Sequence, residues 1–362
     1  WTPALSGEML AHTFQTYLAQ IAKHKYNLPV CYWCSMGEFI KHFDLRFWDL
    51  TKDKLKGVSS SVSGYTNEEM DLAKKYHEGR ATLDVIKEIE ETIVKICTVE
   101  DVGGFLVTQG AVKRTSRVWF SYVIPTLDSL LAGAVAVDNQ FMVRHAPIAE
   151  SLREKSEGTS SGEKEGKKKE EKEREQIPPI QAPYYPQIAS AVYGFTVAID
   201  LDSISKSSID GRLLVKDDER EKRILATFDA LKEMLDSRIF GARLSRVNPF
   251  IEFEMGIAIV ANKIKMMVSP PTLKFEDFIE ESVVRALRAS MDTQDKLKVI
   301  VWSPREDVSS NVDKVLNELK KRIKEKYGEQ QEKTYENIYT TIKPPTSVRD
   351  LIDSIVNVIK QW

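Results

Sequence analysis

Near the start of the chain, Leu10, Phe14, Tyr17, Leu18 and Ile21 recur at helical spacing, which predicts a helix over Ala4–Ala22 with Ser6 at its cap. A longer stripe through Leu72, Tyr76, Leu83, Ile86, Ile89, Ile93 and Ile96 predicts a second helical stretch over Asn67–Cys97, with Glu88, Glu90 and Glu91 on its wet face. Between them, Lys25–Ser63 mixes aromatics with Gly and Ser and reads as irregular. From Gly103 the period shortens to two. Gly104–Thr108, Arg117–Pro125, Ala134–His145 and Ile188–Leu201, rich in Val, Phe, Tyr and Trp, read as strands. The pattern returns to a helix over Arg223–Arg238, a strand over Phe250–Ala261 and a short strand over Val299–Trp302. Amphipathic helices follow over Val312–Tyr327 and Val348–Ile359.

This order predicts an α+β fold, similar to a ferredoxin-like sheet with insertions, whose first strand is expected before Trp1. Residues 150–176 break the pattern. Beyond Leu152 they carry almost no apolar side chain and cannot bury enough surface to offset their ordering entropy. Eight basic and eight acidic residues between Ser151 and Gln176 cancel, so this is no one-sided polyelectrolyte arm. It reads as the flexible tip of a hairpin-like excursion that re-enters at Pro178-Pro179.

Charge enters next. Lys+Arg 52 against Asp+Glu 54 leaves a net charge of −2, which is not the strongly basic balance of a typical nucleic-acid-binding domain. A binding groove needs only local excess within roughly a Debye length, ~8–10 Å, and one stretch has it. No acidic residue occurs between Val102 and Leu127, where Lys113, Arg114, Thr115, Ser116 and Arg117 lead into an aromatic strand. Guanidinium forks with short hydroxyl donors suit phosphate oxygens. Arg144 and His145 end another strand, behind Gln140, Phe141 and Met142, which offer a polar contact and apolar wedges. Arg243, Ser245 and Arg246 form a third acid-free cluster. Ser6 and Gly7, at a helix start, offer backbone N–H groups to an anion. Each feature also has an ordinary reading: a solvated hairpin tip, core side chains on a strand, a helix cap.

Three cysteines, an odd and small number, argue against a secreted disulfide scaffold. Cys31 and Cys34 have zinc-ligand spacing, and Cys97 with His24 or His42 completes a possible tetrahedral set. Three buried thiols or a redox-labile pair fit equally. No cofactor is otherwise expected. No apolar run approaches the ~20 residues of a membrane span, so a soluble cytoplasmic protein is expected, and its Lys- and Glu-rich surface is one that thermophiles favour. Gly-rich phosphate loops, a nucleophile–base pair and a helix-turn-helix candidate are all missing from the sequence.

Five strings in fixed order carry a family resemblance: PALSGEMLAH, EDVGGFLVTQGAVKRTSRVWFSYVIPTLDS, QFMVRHAP, ASAVYGFTVAIDLDSI and GARLSRVNP. Over the first two-thirds of its length the chain resembles the DevR-like CRISPR-associated proteins, the Cas-seven backbone subunits of type I Cascade, archaeal type I-A forms above all. The resemblance implies an RNA-recognition-motif-like palm with helical fingers and a thumb hairpin. Residues 1–100 would supply the palm's first helix and the fingers. Residues 101–262 would form the palm, with the thumb at 146–182, and 263–362 would be an α/β extension completing it. It also implies a non-catalytic role: subunits stack head to tail along a CRISPR RNA, present it to target DNA and associate with other Cascade subunits (Cas-five, the large and small subunits, the Cas-three helicase-nuclease). The RNA-binding set implied is that named above, with simultaneous charge reversal of Arg114 and Arg117 expected to abolish RNA binding and leave the fold intact. Two alternatives are an RNA-cleaving type III-like subunit using Asp101, Asp128 or Asp138, and a DevR-type regulator.

Overall fold

Ser6 starts the first helix, α1 (Gly7–His24), by accepting a 3.2 Å hydrogen bond from the Met9 amide. The computed structural model describes residues 2–39, 82–106, 112–139, 142–145, 181–184, 187–239 and 251–362. α1 buries Leu10, Phe14, Leu18 and Ala22 on one stripe. It ends where Asn27 turns left-handed and Leu28 donates back to the Ala22 carbonyl. A single turn, α2 (Tyr32–Ser35), follows within the segment expected to be irregular. After residue 81 come α3 (Leu83–Ile96) and the short α4 (Thr98–Gly103).

The next strands are brief. β1 (Phe105–Leu106) pairs with β2 (Lys113–Arg114). β3 (Val118–Phe120) pairs antiparallel with β10 (Val197–Ile199), and β4 (Ile124–Pro125) with β9 (Tyr193–Gly194); the short helix α5 (Leu127–Leu131) follows β4. The expected continuous strands Arg117–Pro125 and Ile188–Leu201 are therefore each broken. At the break the Ser121 amide still donates to the Thr196 carbonyl at 3.0 Å, while the Ser121 hydroxyl takes its carbonyl's place and accepts the Thr196 amide at 2.8 Å. Gly7 fits α1 against this strand: a Cβ there would lie 2.3 Å from the Phe120 carbonyl oxygen.

Two compact units divide the chain, residues 1–3 with 129–192 and residues 4–128 with 193–362. In the smaller unit, β5 (Ala136–Asn139) pairs with β8 (Gln187–Ser190), and β6 (Met142–His145) pairs with β7 (Gln181–Tyr184), both antiparallel. The two ladders share one register, because partners Ala136 and Ser190, and His145 and Gln181, have the same number sum. The described residues on either side of the expected excursion thus form two antiparallel pairs in one register. The excursion's charged residues 146–180 lie outside the described residues.

In the larger unit, a three-stranded sheet places β12 (Leu297–Trp302) between β11 (Gly256–Ala261), antiparallel, and β13 (Tyr339–Ile342), parallel. β12 is apolar on both faces, as a strand covered on both sides must be. Leu297, Val299 and Val301 face a core built with α7 (Phe275–Thr293), α8 (Glu306–Tyr327) and α9 (Glu329–Ile338). Ile300 and Trp302 face a second core containing α1, α6 (Asp217–Ser237) and α10 (Val348–Lys360). The last hundred residues thus supply the central strand of a helix–sheet–helix stack and share one core with the first helix. The fold is mixed α and β.

Gly7→Ala is expected to destabilise the protein by about 1–3 kcal/mol, the cost of overpacking against backbone. A lowered urea midpoint with an unchanged denaturant slope is the reading that checks it.

Candidate nucleic-acid interface

Alternation along β2 splits the basic cluster between two faces. Lys113 points out and is exposed, whereas Arg114 points in and its side chain is fully buried. All five of its N–H donors are spent. Nε binds the Asp101 carbonyl at 2.9 Å; one Nη reaches Glu90 at 2.9 Å and the Lys206 carbonyl at 2.7 Å; the other reaches the Asp101 carboxylate and the Ser203 carbonyl. Asp101 also accepts from Arg223 at 2.7 Å, from the Ser205 amide at 3.0 Å and from the Ser205 hydroxyl at 2.8 Å. Glu90 takes the Ser207 hydroxyl and the Ser208 amide. Two buried guanidiniums therefore face two buried carboxylates. This corrects the sequence reading of Arg114 as a phosphate ligand: it has no donor left to give, and reversing its charge would wreck the core. Glu90 is likewise not on a wet face but 2% exposed.

Burial alone would raise the Asp101 pKa. The positive charges of Arg114 and Arg223, with hydrogen bonds from Arg223 and Ser205, overcome it and hold this carboxyl below its ordinary value. An acid fixed in that way is a structural anion, and its enclosure removes it from the carboxylates considered for RNA cleavage. Of the other two, Asp128 accepts the Phe275 amide at the start of α7, and Asp138 is exposed on β5.

Around this network, the other sequence candidates separate. Arg117 is 8% exposed and uses one donor, Nη2, on the Ser208 hydroxyl at 2.9 Å, while its Nε has no hydrogen-bond partner among the described residues. Burial and the neighbouring Arg114 charge lower its pKa. Lys113 and Thr115 are exposed, with no side-chain partner among the described residues. Ser116 turns the chain into β3 by bonding the Val118 carbonyl at 2.6 Å and amide at 3.2 Å. Gly104, at φ 74°, lets this loop close: a Cβ there would lie 2.5 Å from the Arg114 carbonyl oxygen.

At the other end of β3, Leu5 bridges Val123 through two 3.0 Å hydrogen bonds, which brings Ser6 and Gly7 beside the strand. Ser6 acts as a helix cap there, and Gly7 is buried. On β3 itself Val118 and Phe120 pack inward, leaving Trp119 40% exposed and Tyr122 just beyond it 56% exposed. Sequence reasoning passed over these two rings, although strict alternation after Val118 turns Trp119 outward. Met142, Arg144 and His145 lie on β6 of the smaller unit. Gln140, Phe141, Arg243, Ser245 and Arg246 lie outside the described residues.

The cysteines converge. Cys31, Cys34 and Cys97 are buried thiols whose sulfurs all lie within 4.8 Å of one another. For Cys34, contact with the Cys31 and Cys97 sulfurs and then burial push the thiol far above its ordinary value. His24 is exposed at the end of α1 and stands outside this group, and His42 lies outside the described residues.

A family model described as "CRISPR-associated negative auto-regulator DevR/Csa2" matches residues 1–283. The chain belongs to the DevR/Csa2 family. Among its curated relatives, the Saccharolobus solfataricus protein named CRISPR-associated protein Cas7/Csa2 1 is 29% identical over 282 residues, covering 77% of this chain and 71% of the relative. A second from that organism, named CRISPR-associated aCascade subunit Cas7/Csa2 2, is 28% identical over 80% of this chain and 74% of its own. A Methanocaldococcus jannaschii protein named Cas7/Cst2/DevR is 30% identical over 53% of this chain and 54% of its own. The DevR/Csa2 match extends past β11 into α7, further than the two-thirds that the sequence strings cover. No helix among the described residues is long and apolar enough to cross a membrane.

Because the Asp101 pKa is depressed, its contribution to stability is present above the unfolded value of about 3.9 and is lost as pH falls below it. Asp101→Asn should cost roughly 3–5 kcal/mol at neutral pH, since it strands two buried arginines. It should also flatten the acid limb of a stability-versus-pH curve measured by urea unfolding.

Proposed function

We propose that this DevR/Csa2-family chain is a non-catalytic backbone subunit of a CRISPR interference complex of the Cascade type. In this reading, copies stack head to tail along a CRISPR RNA, hold it through its ribose-phosphate strand and leave its bases to pair with target DNA, alongside other Cascade subunits. One observation carries the reading: the family match over residues 1–283, with relatives named Cas7/Csa2, one of them an aCascade subunit.

The geometry supports it in particular residues. Lys113 and Thr115 offer unspent donors at one end of β3, and the start of α1 lies at the other. Trp119 and Tyr122 present exposed rings between them. Cations for phosphates and rings for bases are the two elements of sequence-independent single-strand binding. Arg117, with most of its donors uncommitted, is a further contact, whereas Arg114 and Asp101 fix the loop from below. On this reading the pairs β5–β8 and β6–β7 lead into the thumb expected at residues 146–182. Arg144, His145, Arg243, Ser245 and Arg246 remain in the proposed RNA-binding set.

A salt titration of single-stranded RNA binding tests this. The affinity should fall steeply with salt, and Lys113→Ala should reduce the slope by about 0.7, one phosphate contact. Trp119→Ala should weaken binding by roughly 1–3 kcal/mol and leave the slope unchanged. Salt-independent or absent binding by the folded protein would remove the proposal. Electron micrographs of the chain co-expressed with a CRISPR RNA should show helical filaments containing RNA.

A further inference from the structure

Two separate corners of the chain deliver the three buried sulfurs to one point. Cys31 caps α2 and Cys34 lies in its single turn, so both sulfurs fall on the same side. Cys97 sits in extended backbone at the joint between α3 and α4. The Thr98 amide donates to the Pro29 carbonyl at 2.8 Å and locks that joint against the segment before Cys31. The exposures of the three cysteines are 9%, 2% and 0%.

We propose that Cys31, Cys34 and Cys97 bind one zinc ion through three thiolates, with a solvent water in the fourth tetrahedral position. Tetrahedral zinc holds thiolates at about 2.3 Å, which sets neighbouring sulfurs about 3.8 Å apart. A triad already inside 4.8 Å needs only a slight contraction to reach that spacing. The Cys34 amide points at the Cys31 sulfur, 3.5 Å away, and such a donor stabilises negative charge on a ligating thiolate. Binding replaces three S–H bonds by three S–Zn bonds and releases three protons to solvent, with no change of oxidation state.

The ion would join the chain leading into residues 40–81 to the corner that follows α3. That corner also starts α4, where the Asp101 amide bonds the Cys97 carbonyl at 3.0 Å. A metal at Cys97 thus anchors the helix that presents Asp101 to its two arginines. This inference is independent of the RNA-binding proposal.

The test uses the full chain purified under reducing conditions. Elemental analysis should find about one equivalent of zinc, and exchange with cobalt(II) should give thiolate-to-metal charge-transfer absorption and the intense visible bands of tetrahedral cobalt. Cys31→Ser and Cys97→Ser should each lose these bands. If these variants fail to fold, the cobalt titration of the unaltered chain still decides. A melting midpoint that rises on adding zinc to chelator-treated protein supports the site. A folded chain with three alkylatable thiols that takes up neither metal overturns it. So does a Cys31–Cys34 disulfide isolated as the stable form in reducing buffer.

Discussion

A carboxylate with no access to water ties β2, α6 and the loop before α6 to α4. Asp101 remains ionised at 0% exposure because two guanidiniums and the Ser205 amide and hydroxyl surround it. Burying each such ion costs several kcal/mol, and only near-complete hydrogen bonding offsets the cost. Arg114 meets that demand with every donor engaged. The constraint reaches across the chain, since α3 contributes Glu90, α4 contributes Asp101, β2 contributes Arg114, α6 contributes Arg223 and the loop before α6 contributes the serines. Five segments from two stretches of the chain, residues 83–114 and 203–237, must be in place at once for the charges to balance.

That network divides labour within the basic loop. A strand two residues long turns Lys113 to solvent and Arg114 to the core, so neighbours in one sequence cluster face opposite ways. The inward residue fixes the loop; the outward residue, Thr115 and the exposed Trp119 remain available to a ligand. Gly104 permits the loop to sit tightly over the network, and Gly7 permits α1 to lie against the strand that follows. The candidate interface is thus a thin layer built on a rigid ionic floor.

Much of the fold is legible in the sequence. The apolar stripe of α1, the period-two strands and the amphipathic α8 and α10 all appear near their expected places. α7 escaped notice because Ser282 and Ala286 dilute its buried stripe, and α9 because only Tyr335 and Ile338 anchor it. The role of Arg114 was hidden for a different reason. Composition places cations together, but only strand alternation and a partner from residue 101 decide which of them faces water. Glu90 held a usable signal: it follows Ile86 by four positions and precedes Ile93 by three, so it belongs to the buried face of its helix. The convergence of Cys97 with the Cys31–Cys34 pair depends on tertiary packing that spacing alone does not encode.

The most direct measurement is a double-mutant cycle of Asp101→Asn and Arg114→Met, read as unfolding free energy at neutral pH. If the ionic floor organises the core, each single substitution is strongly destabilising, and the double variant loses less than their sum by about 0.5–3 kcal/mol. On the proposed RNA-binding function, the folded fraction of each variant should keep whatever RNA binding the unaltered chain has. Small, additive stability losses accompanied by lost RNA binding would contradict this account and return Arg114 to the ligand surface.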